Sequence, residues 1–219
     1  METEEPSCKR GRPREFCPDA ALDAALSVFW RNGYEGASLT DLTEAMGINR
    51  PSLYAAFGNK ESLYRRAMDR YGERAAAVFR AALSEPTARQ SIERLLRGSA
   101  DGLTDCKNPA GCFLVVSAMA CGPASEAVRA EAATRRMSTG PLLQARFEQA
   151  VGDGELPPDA DPAALAGFFA TVLQGLSVQA ASGVDRAGLH RAIDVALRVW
   201  PTSPVAPGTP APAKHKKPR

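Results

Sequence analysis

The sequence predicts an all-α chain in two unequal parts, a small N-terminal bundle of three helices and a larger helical region behind it. Three observations carry this. Alanine is abundant and strand-forming residues are sparse. Apolar residues recur at helical spacing through most of the chain. Capping residues punctuate the pattern: Ser38, Asn49 and Asn59 stand where helices open, Gly33 and Gly47 where they close.

The 219 residues are 44% hydrophobic and 24% charged, a composition that supports a sizeable core. The net charge of +2 hides an uneven distribution, since residues 9–14 alone carry +4 and residues 201–219 another +4. Residues 1–14 read as a flexible arm around Lys9-Arg10-Gly11-Arg12-Pro13-Arg14. Gly11 and Pro13 keep it extended, so Arg10 and Arg12 can lie in a DNA minor groove, or the arm is simply a solvated basic tail. The opening METEEPS has no apolar core, so no signal peptide is expected.

The first helix is expected over residues 18–32. Pro18 sits in its first turn, and Leu22, Ala25, Leu26, Phe29 and Trp30 form one apolar face. Gly33 is expected to end it as a left-handed cap. Ser38 and Asp41 then make a capping box for a helix over Leu39–Met46, with Leu42, Ala45 and Met46 turned inward. Its N-terminus, with Ser38 and Thr40, can present amides and hydroxyls to a phosphate. Asn49 caps the next helix, Arg50–Phe57, where Pro51 is tolerated in the first turn, and Asn49 is counted with Ser38 and Thr40 among the expected DNA contacts. Leu53 and Phe57 face the core, and Arg50, Ser52, Tyr54, Ala55 and Ala56 are left outward or at the flank. Such short helices need tertiary packing to persist. A packed helix with a free polar N-terminal end is the arrangement that enters a major groove.

At this point the chain resembles the DNA-binding domain of the tetracycline-repressor (TetR) family, over residues 14–72. The pattern ALSVFWRNGYEGASLTDLTEAMGINRPSLYAAFGNKESLYRRAM carries the likeness, its most specific tract spanning Ser52 to Leu63. The resemblance implies a helix-turn-helix at residues 38–57 within a DNA-binding domain at residues 15–75, and Arg50–Phe57 as the recognition helix. It also implies phosphate contacts from Tyr54 and Lys60, with Thr40 near the DNA backbone. From the residues themselves, Arg50 suits a bidentate guanine contact and Ser52 a second base contact, while Ala55 fits a thymine methyl.

A long helix from Lys60 to about residue 83 passes into residues 76–200, expected to be a helical regulatory and dimerisation domain. Along that long helix, Leu63, Ala67, Met68, Tyr71, Val78 and Phe79 are read as apolar positions. Further helices are expected over residues 87–103, 111–120, 124–151 (bent near Gly140-Pro141), 163–182 and 186–200. The segment at 111–120 would also fit a strand. Residues 162–184 lack charge and are long enough to cross a bilayer, but Thr171, Gln174, Ser177, Gln179 and Ser182 favour a buried or interfacial helix, so no membrane span is expected. The last two helices look like a homodimer surface, with Phe168, Val172, Gly175, Leu176, Leu189, Ile193, Leu197 and Trp200 as its residues. A dimer would read two half-sites of a palindromic operator on double-stranded DNA. The family likeness also implies a pocket for a small-molecule effector. Candidate walls are Leu103, Cys112, Phe113, Val116, Met119, Phe147 and Phe169, residue types that equally make plain core. Residues 201–219, rich in proline and basic, are expected to be disordered.

The five cysteines show no CxxC pair and no spacing for zinc, so no metal or cofactor is expected, and reduced thiols in a cytoplasm are the default. Cys106, Cys112 and Cys121 cluster, which raises a second reading. Oxidation or alkylation of Cys112 would move its helix and release DNA, unless Cys112 is only a small buried hydrophobe. Enzyme chemistry is not expected: the chain has two histidines, and no carboxylate motif orients His190.

Overall fold

A computed structural model describes residues 16–119 and 126–201. Among these residues the chain is helical without a strand, in ten α-helices. They are α1 Pro18–Gly36, α2 Leu39–Met46, α3 Arg50–Phe57, α4 Lys60–Leu83, α5 Ala88–Leu103, α6 Phe113–Met119, α7 Glu126–Met137, α8 Thr139–Gly152, α9 Pro162–Ala181 and α10 Arg186–Ala196, and a 3₁₀ turn at Leu197–Val199 follows. The basic arm with Arg10 and Arg12, and all of the tail beyond residue 201, lie outside the described residues.

Local chemistry sets the first four elements. Ser38 Oγ accepts from the Asp41 amide while the Asp41 carboxylate accepts from the Ser38 amide, the full capping box. Asn49 caps α3 through Ser52 N–H, and Asn59 caps α4 through Ser62 N–H. Gly47, at φ 64 and ψ 30, makes the left-handed turn between α2 and α3. Gly33 does break α1, but at φ 71 and ψ 177. That is a mirror-image extended conformation rather than the left-handed cap expected, and the chain runs on in a short helical turn to Gly36. Ala45 is exposed, and Thr43 is buried in its place. Val78 is 54% exposed, so the apolar stripe of α4 does not include it.

Two apolar cores form. The first gathers Phe29, Trp30, Leu42, Leu53, Phe57, Leu63, Tyr64 and Met68 from α1–α4, and it is completed by Phe113 and Leu114 of α6 and Val128 and Ala132 of α7. Phe113 is fully buried against the rings of Trp30, Tyr64 and Tyr71, at centroid separations of 5.5–6.0 Å. The second core packs α5, α8, α9 and α10 around Ile92, Leu96, Phe147, Phe169, Ile193 and Trp200. Of residues 111–120, expected as a helix or a strand, Phe113–Met119 are helical, and 111–112 form a loop leading into them. The single helix expected over 124–151 is two, divided at Ser138, whose hydroxyl bonds back to Arg135 O. Pro141 lies in the first turn of α8, where its missing N–H leaves no helical bond unmade.

Polar clamps fasten α4 to its neighbours. Asp23 of α1 takes Arg70 at 3.1 Å and Arg74 at 2.6 Å. Hydrogen bonding from Arg70 holds the Asp23 carboxyl below the usual carboxylate range, although burial opposes it. Arg65 of α4 reaches Glu131 of α7 at 2.8 Å, and Arg135 of α7 spans Glu131 and Asp69, each at 2.7 Å.

Candidate nucleic-acid interface

The α2–turn–α3 unit sits on the first core by one face only. Leu53 and Phe57 are buried to 0% and 3% exposure, fixing the roll of α3 about its axis. That roll leaves Arg50, Tyr54 and Ala55 exposed and Ser52 at the flank. Tyr54 is 49% exposed, so half of its surface is open to solvent. Asn49 and Ser38 are exposed, but their side-chain oxygens are occupied as caps. They shape the surface by holding helix ends in place.

Two expected contact residues are not independent. Arg50 Nη2 donates to Thr40 Oγ1 at 3.0 Å, bridging the first turns of α3 and α2. Lys60, at the start of α4, folds back so that Nζ lies 4.8 Å above the Tyr34 ring and 3.4 Å from Glu35 O. Burial holds its ammonium pKa below the ordinary lysine value, and the Glu35 charge offsets part of this.

Arg66 was not legible as a site residue, yet it supports this surface. It donates to Ala56 O at 3.1 Å and stacks over Phe57 at 5.5 Å, satisfying a carbonyl in the last turn of α3. The available signal was a basic residue in the second turn of α4, placed to meet the negative end of a short preceding helix.

The other expected sites fall as follows. Leu103, Phe147 and Phe169 share the second core, and Phe113 lies in the first. Cys112 is half-buried and packs against both cores. Val116 is half-buried, and the side chain of Met119 lies outside the described residues. Of the expected dimer residues, Leu176, Leu189, Ile193, Leu197 and Trp200 are turned into their own subunit, at 0–7% exposure. Phe168, Val172 and Gly175 remain at the surface or half-buried, joined by exposed Val178, Val195 and Val199. The apolar stretch of α9 is long enough to cross a membrane by length and composition alone, and 28% of it is buried within the subunit.

Known proteins match this arrangement along nearly the whole chain. Residues 21–67 match the family model for bacterial regulatory proteins of the tetR family, and residues 88–196 match the tetracyclin repressor-like C-terminal domain. The HTH-type transcriptional repressor ComR of Escherichia coli (strain K12) is 37% identical over 206 residues, covering 92% of this chain and 98% of ComR. The chain belongs to the TetR family. Its kinship extends to the HTH-type transcriptional repressor BdcR of Escherichia coli (strain K12), at 33% identity over 52% of this chain and 59% of BdcR. Among solved structures, a cysteine mutant of the TetR family regulator CifR, complexed with 26bp double-strand operator DNA, superposes with a TM-score of 0.84. It shares 46% identity and covers 87% of this chain and 100% of CifR. This TetR chain thus carries the helix-turn-helix and the all-helical C-terminal domain together, as its sequence pattern implied.

Proposed function

We propose that this TetR-family chain is a cytoplasmic transcriptional repressor. It binds a palindromic operator as a homodimer and is released by a small effector held in the C-terminal domain. The observation that carries the reading is the seating of α3: Leu53 and Phe57 are buried behind it while Arg50, Tyr54 and Ala55 stand outward. A helix fixed in roll and free at its polar N-terminal end suits a major groove. Tyr54 and Lys60 then grip phosphates and set register, and Arg50 with Ser52 reads bases. Operator-bound CifR and the repressor name of ComR support the same reading.

The outer face of α9 and α10 supports a dimer. Phe168 and Val178 are each 37% exposed, Val195 60% and Val199 54%, and Gly167 and Gly175 leave room for a second helix. Exposed apolar side chains on one helix pair mark a candidate interaction site, and a two-fold partner offers the same face in return.

Release follows if the effector favours a conformation in which α4 has shifted, since a ligand moves an equilibrium only by its differential affinity. Gly111 presses the loop before α6 against α9. At φ +85, an added Cβ would lie 2.9 Å from Ser177 O and from Val116 Cγ2. Cys112 N–H donates to Ser177 Oγ at 2.7 Å in the same place. A change in the second core therefore reaches α6, and through Phe113 the first core.

A second reading has its own observation. Tyr71 Oη of α4 donates to Cys112 Sγ at 3.1 Å. Oxidation or alkylation of that sulfur would displace Tyr71, and with it α4, making the protein a thiol-based sensor on the same fold.

Selection of bound duplexes from a random DNA pool by the purified protein tests the main reading. A palindrome should be enriched, bound by two subunits, with affinity falling steeply as salt rises. Recovery of no preferred sequence would remove it.

A further inference from the structure

Thr40 and Arg50 lie ten residues apart on different helices, and in the folded chain they meet. Arg50 Nη2 donates to Thr40 Oγ1 at 3.0 Å, although both residues are exposed. We infer that Thr40 is a specificity-determining residue that acts through Arg50: its hydroxyl oxygen holds the guanidinium in the plane that reads a base, while its own O–H donates a hydrogen bond to a DNA phosphate. The inference rests on the DNA-binding reading above.

The backbone beneath Thr40 is rigid. The capping box between Ser38 and Asp41 closes the first turn of α2 around it. The buried Thr43 hydroxyl donates to Leu39 O at 2.9 Å and is 3.0 Å from Thr40 O, tying the same turn from the inside. On the other side, Arg50 is the first residue of α3, and Asn49 fixes its backbone by capping Ser52 N–H. Both ends of the contact thus stand on immobilised helix termini, and the contact itself spans the seam between α2 and α3.

The chemistry of the pair is asymmetric. A hydroxyl that accepts from a guanidinium keeps one proton to donate, and the cation beside it makes that proton a better donor. The nearest acceptor such an exposed hydroxyl meets on docking a duplex is a phosphate oxygen. Arg50 spends one of its five N–H donors on Thr40 and keeps the others for a fork onto guanine O6 and N7. A free arginine side chain must lose its rotamer freedom on binding; one already tethered loses less. Thr40 therefore couples a contact that carries no sequence information to one that does.

The test uses the full-length protein, the best duplex recovered from a random pool, and all single-base-pair variants of it. Four proteins are compared: wild type, Thr40→Val, Thr40→Ser and Arg50→Ala, with the double variant T40V/R50A closing the cycle. Valine matches threonine in shape without the hydroxyl, and the exposed site leaves folding intact. Wild type discriminates at the position read by Arg50, and T40V loses at least about fivefold of that discrimination. T40S retains it, and T40V adds no further loss at that position in the R50A background. T40V leaves the salt dependence of binding unchanged, because no charge is removed, whereas R50A shallows it if the guanidinium also meets a phosphate. Weakening by T40V that is equal for every duplex, so that discrimination at the position read by Arg50 is unchanged, or no change at all, overturns the inference with the operator reading intact. A wild-type protein that enriches no sequence overturns both.

Discussion

Tyr71 and Cys112 meet at 3.1 Å, phenol to sulfur, where the long helix α4 crosses the loop that opens α6. Burial, then the neighbouring Cys112 sulfur, pushes the Tyr71 phenol well above its ordinary pKa, so it stays protonated and donates. Cys112 also packs on both cores. The thiol reading therefore predicts that a small thiol-alkylating reagent releases operator DNA from the wild type, and that Cys112→Ser does not respond. Fluorescence anisotropy of a labelled operator duplex measures this directly. Release of the serine variant at the wild-type reagent concentration would remove Cys112 from any sensing role.

The clamp between α4 and α7 makes a prediction about acid. Burial raises the Glu131 carboxyl pKa, but hydrogen bonds from Arg135 and Arg65 outweigh it, and the group is held below its ordinary 4.5. A carboxylate depressed in the folded state stabilises above the unfolded pKa, and the contribution is lost as pH falls through the folded value. Glu131→Gln should thus lower stability by about 0.5–1 kcal/mol near neutral pH and by progressively less below about pH 4.5. Denaturant titrations of both proteins at several pH values check this. A difference that grows on acidification would show that Glu131 is not the titrating group.

The uncovered face of α9 predicts the assembly state. Replacing Phe168 and Val178 by glutamate places like charges on both sides of a two-fold interface. Sedimentation should show the wild type as a dimer and the variant as a monomer at micromolar concentration. Helical circular dichroism should stay unchanged, because both residues are already part-exposed. A dimeric variant would place the interface elsewhere.

Phe113→Ala removes a fully buried ring and should cost about 3–5 kcal/mol. The two tryptophans report on the loss separately, since Trp30 belongs to the first core and Trp200 to the second. In a Trp200→Phe background, Trp30 emission should show an earlier transition for the alanine variant. Equal transitions would mean that α6 contributes little to the first core.

How much of this was legible in the sequence follows the range of the interactions. The bounds of α2, α3 and α4 are written in local chemistry, in Ser38, Gly47, Asn49 and Asn59, and the chain alone identifies them. The division at Ser138 was masked by the more conspicuous Gly140-Pro141, which only opens the next helix. The surface of α9 was harder still. Its apolar residues cover more than one face, so periodicity could not say which face its own core would take; Leu176 went inward and Phe168 stayed out. The Thr40–Arg50 and Tyr71–Cys112 contacts join residues 10 and 41 apart, and no local pattern encodes such meetings.

The participation of α6 and α7 in the first core bears on modularity. The family models meet the chain as two blocks, residues 21–67 and 88–196, which invites exchanging the recognition block between relatives. In this chain, a graft cut between those blocks would leave Phe113, Leu114, Val128 and Ala132 behind and open a void beside Trp30 and Tyr64. A working chimera has to bring its own α6 and α7, or repack the ring cluster against those of the host. The unit that recombines is larger than the unit that reads DNA.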